Sequence, residues 1–331
     1  MPIVDFHNHY YPPAYLDALR SKKTNVTVGV DADGNPLLYY PGDYNIVVQG
    51  HRDIEFRERV LVELGVDRQV VTLTTPGTHV ETPRHAADLA RLVNDEFAEV
   101  VATRGRFAAL ATLPLNDPAE SARELERAMT KLRLPGAMVF SNINGVPLAD
   151  ERFWPVYEKA DELGAILYIH PNHPVSVEAM TEYWLMPLVG FLMDTTLAAA
   201  HLVFAGVTER FPRIRWVLGH LGGAIPYLAE RLDRGFYAFA ECRQHITRLP
   251  SDHLRQFYFD TVNFDPNALK LAMAFAGPDH LLAGSDYPHQ IGSIPKMLSS
   301  LRSLEIDEPA RAGILGGNAV KLLGGAETRR P

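Results

Sequence analysis

Short runs of β-branched, aromatic and aliphatic residues recur along the chain, each followed by a segment whose apolar positions return every three to four residues. Continuity or alternation over a few residues marks a strand, and the 3.6-residue period marks an amphipathic helix. Strands are predicted at 3–9 (IVDFHNH), 69–75 (QVVTLTT), 106–114 (RFAALATLP), 136–142 (GAMVFSN), 165–171 (AILYIHP), 215–221 (RWVLGHL), 257–262 (FYFDTV) and 281–288 (LLAGSDYP). Helical stretches such as ETPRHAADLARLVNDEFAEVVATRG and DPAESARELERAMTKL lie between them. They have Asp or Thr near their starts and Gly after several of their ends, the residues that cap helices. Eight such units predict an α/β fold, a (β/α)8 TIM barrel forming a single domain over 1–331. A doubly wound open sheet is the rival, but no glycine-rich phosphate loop follows the first strand. From Tyr10 to Gly50 the chain carries VDADGNPLLYYPGDYN, which reads as an elaborated loop after strand 1, over the barrel mouth.

Composition narrows the classes of partner. The chain has 331 residues, 47% of them hydrophobic and 22% charged, with 32 Lys+Arg against 40 Asp+Glu for a net charge of −8. That balance favours solubility and gives no basic surface for nucleic acid. A single cysteine, Cys242, allows no internal disulfide, which suits a reducing compartment. With no leader-like pattern ahead of His7, a cytoplasmic location is expected. The longest apolar stretch, 185–207, is interrupted by Pro187, Asp194 and His201, so it reads as a buried helix and not as a membrane span.

In a parallel barrel, functional groups sit at the C-terminal ends of the strands. Strand 1 ends in His7 and His9, strand 5 in His170, strand 6 in His220 and strand 8 in Asp286. Residues two apart on a strand face the same side, so His7 and His9 would meet one point. His7, His9, His170 and Asp286 supply three nitrogens and one oxygen, a set suited to Zn²⁺ with room for water or substrate. His220 remains as an unbound acid/base beside them. Asp5 shares the face of His7 and His9 and could orient a ligand. His173 and His289 lie three residues past strand-end ligands, within reach of a substrate. His51, His79, His85, His201, His245, His253 and His280 have no such placement and read as structural.

Across nearly its whole length the chain resembles the amidohydrolase superfamily, in the branch of aminocarboxymuconate semialdehyde decarboxylase and related aromatic-acid decarboxylases. The resemblance is carried by DFHNHYYP, FRERVLVELGVDRQVVTLTTPG, IHPNHP, FPRIRWVLGHLGGAIPYLAERLD, FDTVNFDP and GSDYPH. It implies one Zn²⁺ on His7, His9, His170 and Asp286, with His220 as general acid/base. Binuclear members of the superfamily carry a bridging lysine at the end of strand 4. Here that strand ends FSNING, so one metal ion is expected. The resemblance also matches Arg231 to an arginine that crosses a subunit interface to hold a substrate carboxylate, which implies a homodimer or higher homo-oligomer. A second substrate-gripping arginine of the branch aligns with Asn45; His51 and Arg52 lie nearby and could substitute.

One metal and a free histidine support two reactions. In decarboxylation, the metal and an arginine hold the carboxylate while His220 or Asp286 protonates the carbon that loses CO₂. In hydrolysis or hydration of a lactone, amide or unsaturated acid, they activate water. The resemblance favours a carboxy-lyase acting on a small aromatic or conjugated unsaturated carboxylic acid, with Zn²⁺, or else Mn²⁺, as cofactor. Tyr10, Tyr11, Tyr39, Tyr40 and Tyr44 could pack on a planar ring or simply cover the barrel mouth.

Overall fold

The computed structural model describes residues 1–20, 24–174 and 177–324. Two arcs of parallel strands surround the core. One holds β1 (Val4–His9), β2 (Arg68–Thr72) and β3 (Phe107–Ala109). The other holds β4 (Gly136–Phe140), β5 (Ile166–His170), β6 (Arg215–Leu218), β7 (Tyr258–Asp260) and β8 (Leu281–Leu282). Single parallel bridges join the arcs at both seams, Ala111 with Ala137 and Asn8 with Tyr287. At the second seam Phe6 N donates to Ala283 O at 2.7 Å, while Ser285 N and Asp286 N donate to His7 O at 3.1 and 2.8 Å. The eight strands therefore follow one another around a barrel in sequence order. Their faces are covered on both sides, which is why they read as continuous apolar runs; Val70, Val71, Ile166, Leu167, Val217 and Leu218 are fully buried.

Local chemistry sets the helix boundaries. Asp53 caps the helix Ile54–Leu64 through Phe56 N, and left-handed Gly65 ends it. Asp117 and Asp265 cap Pro118–Thr130 and Pro266–Ala276 in the same way.

Three expectations change in detail. Strands β3 and β8 are shorter than 106–114 and 281–288, because the chain leaves the ladder after Ala109 and Leu282. Asp286 consequently sits in a turn beyond β8, with φ 56°. The insertion after β1 is a three-stranded antiparallel meander, Thr27–Val30, Pro36–Tyr40 and Asp43–Ile46. The alternating burial of PLLYY gives it the period of a strand.

The apolar stretch 185–207 is the third. Its helix Phe191–Phe204 buries Thr195, Ala199, Leu202 and Val203 but leaves Met193 and Leu197 exposed. It is thus half-buried, although Met186–Phe204 is long and apolar enough to cross a membrane by length and composition. Buried Asp194 pins it to the barrel by accepting from Asn142 Nδ2 at 2.8 Å and from Ser141 Oγ.

Candidate active site

At the C-terminal mouth of the barrel, β1 turns His7 and His9 inward, both fully buried. Their Nε2 atoms lie 3.1 Å apart, and each is 3.3 Å from Asp286 Oδ1. His170, at the end of β5, places its ring centroid 5.3 Å from that of His7 and 4.7 Å from that of His9. Gly284 lets the chain beyond β8 come this close, since a Cβ there would stand 2.8 Å from the His7 Cβ.

The hydrogen bonds behind these rings decide what they can do. His7 Nδ1 donates to Asp260 Oδ2 at 2.6 Å, and His170 Nδ1 donates to Pro171 O at 2.7 Å. His9 Nδ1 meets Thr72 Oγ1 at 3.2 Å, and that hydroxyl gives its own proton to Asn8 O at 2.9 Å. With each Nδ1 held by an acceptor, all three rings turn Nε2 toward one point, the arrangement of metal-ligating histidines. Asp286 Oδ1 is buried among them without a hydrogen-bond partner. Ligand atoms at ordinary zinc distances are separated by about 3.3 Å in a tetrahedron. The donor set and its spacing therefore fit a single divalent cation.

His220 differs from the other three. It follows β6, its Nε2 is 3.9 Å from Asp286 Oδ2, and its Nδ1 has no partner. Its ligating atom nevertheless shares a 4.8 Å cluster with those of His7, His170 and Asp286, and a second cluster joins His9, Asp286 and His289. His220, Leu221 and Asp286 all have φ near +55°, a strained region for non-glycine residues that concentrates at functional sites.

Electrostatics follow from burial and pairing. Burial holds His9 and His170 well below the ordinary histidine value, so both are neutral donors. For His7 burial pulls in the same direction, but Asp260 and Asp286 outweigh it and push the ring up to about 10. Burial acts to raise both carboxylates. The surrounding histidines reverse this, holding Asp260 at about 2 and Asp286 well below the usual carboxylate range. Asp286 thus brings one negative charge to the convergence point of three imidazoles, and Asp260 holds a second behind His7.

Asp260 was not among the candidates, yet it organises the site. Besides the His7 ring it accepts from Tyr168 OH at 2.7 Å and from the backbone N–H groups of His220, Leu221 and Val262 at 3.0, 3.1 and 2.9 Å. The signal was legible, because FDTV ends strand 7 in an acid. Asp5, suspected of orienting a ligand, instead accepts from Gln69 Nε2 and Ser285 Oγ at 2.7 and 2.6 Å. It ties β1 to β2 and to the turn after β8.

A cavity of about 380 Å³ opens above this cluster, bounded by His170, His220, Asp286 and His289 and by the meander residues Asp43, Tyr44, Asn45 and Ile46. His289 lies 4.9 Å from His9 between ring centroids. Of the five suspected tyrosines, only Tyr44 lines this cavity. His173 faces a separate polar chamber with His79 and Asn172. Arg52 turns away, its Nε donating to Val47 O at 3.3 Å, and Arg231 is exposed on the helix Ile225–Ala238, outside the cavity lining. His51, which read as structural, is buried in the cavity wall. Its sequence neighbourhood carries no strand-end signal, so only the folded insertion brings it there.

Known proteins match this architecture along nearly all its length. Residues 4–325 match the amidohydrolase family. The 2-amino-3-carboxymuconate-6-semialdehyde decarboxylase of Dictyostelium discoideum is 33% identical over 277 residues, covering 82% of this chain and 77% of that protein. The structure of 5-carboxyvanillate decarboxylase from Sphingomonas paucimobilis superposes with a TM-score of 0.86 at 28% identity, covering 97% of this chain and 98% of that one. Dihydroxybenzoic acid decarboxylase from Polaromonas sp., solved with bound manganese and the inhibitor 2-nitroresorcinol, gives 0.82 at 26% identity, covering 100% and 98%.

Proposed function

The chain belongs to the amidohydrolase family, and we propose that it is a metal-dependent, non-oxidative decarboxylase of a small aromatic or conjugated unsaturated carboxylic acid. The observation that carries this reading is the convergence of three Nδ1-tethered imidazoles with Asp286 in a chain whose relatives are named decarboxylases. His7, His9, His170 and Asp286 would hold one divalent cation. When bound, that ion supplies Lewis-acid attraction for the substrate carboxylate and a neighbouring oxygen. The histidine-rich donor set favours Zn²⁺; manganese in the Polaromonas relative supports Mn²⁺ as the alternative.

The chain's own groups do the rest. As the bond between ring carbon and carboxyl carbon breaks, CO₂ leaves and the electron pair stays on the carbon, which must then receive a proton. His220 faces the cavity with a buried, unpartnered Nδ1, and its Nε2 lies 3.9 Å from Asp286 Oδ2. It is the group placed to deliver that proton, with Asp286 as the alternative donor. Asp260 fixes the His220 backbone and the His7 ring at once, so metal site and proton donor keep one geometry. His289 lies on the cavity wall as a substrate contact.

The same reading includes a cytoplasmic homodimer. Met193 and Leu197 on the helix Phe191–Phe204 and Tyr227 and Tyr237 on the helix Ile225–Ala238 are exposed, apolar material for an interface across which Arg231 of a second copy would reach the substrate carboxylate.

CO₂ release from hydroxybenzoates and conjugated dicarboxylates tests the reaction. The metal-loaded protein should release CO₂ from at least one acid and the metal-free protein from none. Folded, metal-loaded protein that releases none and instead opens lactones or amides would establish the hydrolase alternative.

A further inference from the structure

We infer that Arg57 is a positioning residue that locks the ion-binding floor to the insertion wall of the cavity, so that occupancy of the metal site and order of the turn Gln49–Arg52 are coupled. This rests on the reading above, in which His9 and Asp286 are ligands of a divalent ion.

Arg57 lies on the helix Ile54–Leu64, fully buried. A guanidinium presents its N–H donors in a rigid planar fork, and here five hydrogen bonds use them all. Nε donates to Gly50 O at 3.0 Å, and one terminal nitrogen donates to Asn8 Oδ1 and Gln69 Oε1 at 2.8 and 2.9 Å. The other terminal nitrogen is shared between Gly50 O, at 2.8 Å, and His9 O. None of these acceptors is charged. A cation buried without a carboxylate partner is costly, and packing alone would favour a neutral side chain in its place.

The fork joins three loops instead. His9 O belongs to a metal ligand, and Gly50 O belongs to the turn that carries His51 into the cavity wall. The His51 ring has no hydrogen-bond partner, so its place is set by its backbone, held through Gly50 O on Arg57 and through His51 O, which accepts from Tyr11 N at 2.7 Å. The third loop bears Asp286. Its Tyr287 ring centre lies 5.0 Å from the Arg57 guanidinium carbon, and Tyr287 O accepts from His9 N at 2.9 Å. A Cβ on Gly50 would stand 2.4 Å from the Tyr287 hydroxyl, so wall and loop are in close contact. Gln69 extends the link, donating to Asp5 Oδ2 at 2.7 Å, and Asp5 accepts from Ser285 N and Oγ at 3.0 and 2.6 Å, next to Asp286. One rigid group thus carries a shift of either ligand to the wall, and linkage makes the effect reciprocal. A lysine ammonium, a single point on a flexible stem, cannot hold both sides at once.

Hydrogen–deuterium exchange of the metal-free and Zn²⁺-loaded protein tests this, with Zn²⁺ affinity measured by competition with a chelator. In the parent, Zn²⁺ should slow amide exchange about tenfold at residues 49–53 as well as at 7–11. Arg57→Lys should bind Zn²⁺ about 10- to 100-fold more weakly, and when saturated should protect 7–11 alone. Arg57→Ala should recover both affinity and coupled protection in millimolar guanidinium and neither in methylammonium. If the variants do not fold, the parent decides: exchange at 49–53 that ignores bound Zn²⁺ would overturn the inference. So would variants that melt earlier but keep affinity and coupling, the result expected of an arginine that only packs. Protein that binds no divalent ion would overturn the metal-dependent reading beneath the inference. Coupling without CO₂ release from any acid would uphold the role of Arg57 and overturn the decarboxylase reading.

Discussion

Asp260, beneath His7, and His51, in the cavity wall, are both buried, but their surroundings are opposite. Asp260, on a barrel strand, accepts hydrogen bonds from two side chains and three backbone N–H groups. His51, on the insertion after β1, has a partner on neither ring nitrogen. The same contrast separates the whole floor from the wall. On the floor, His7, His9 and His170 each have an Nδ1 tether; on the wall, apolar side chains stand open to solvent. Chemistry that depends on sub-ångström placement is built where the ligand rings are tethered from behind, while the wall keeps a buried ring with bonding capacity still unused.

The sharpest test of this contrast lies on the floor. Asp286→Asn should lose bound metal, measured by elemental analysis, and with it essentially all turnover. His220→Asn should keep its metal and lose turnover by about 10²- to 10⁴-fold. Equal metal loss in both would merge two roles that the geometry separates.

Asp260→Asn should come next, lowering metal affinity or activity by about 10- to 100-fold, as loss of an orienting carboxylate does. Competition with a chelator would measure the affinity. An unchanged affinity and rate would break the claim that the floor depends on its tethers.

A further test concerns stability on the wall side. His79, buried in the polar chamber behind the meander, accepts from Asn172 Nδ2 at Nε2, 3.0 Å away, and burial lowers it to about 4. The unfolded chain takes up that proton near 6.5. Between those values the unfolded state holds more protons, so this contribution is present above about pH 6.5 and lost as the pH falls to about 4. Denaturation midpoints of His79→Gln should therefore fall less steeply than the parent's across this window. The difference is at most about 3 kcal/mol.

Periodicity and strand-end residues alone determined much of this protein. Eight βα units, the inward pair His7 and His9, and the polar ends of strands 5, 6 and 8 could all be read because strand alternation and barrel topology convert sequence position into direction. Asp260 carried the same signal at the end of strand 7. The tertiary structure decided what depends on neighbours distant in sequence. Asp5 and Asp260 are both strand carboxylates, and nothing local says that the first binds Gln69 and Ser285 while the second holds His7 and His220. Arg52 and His51 are adjacent, yet the helical turn Gln49–Arg52 sends the arginine to Val47 O and the histidine into the cavity wall. Hydrogen-bond partners and cavity walls are set by contacts across tens to hundreds of residues, and those exist only once the barrel has closed around them.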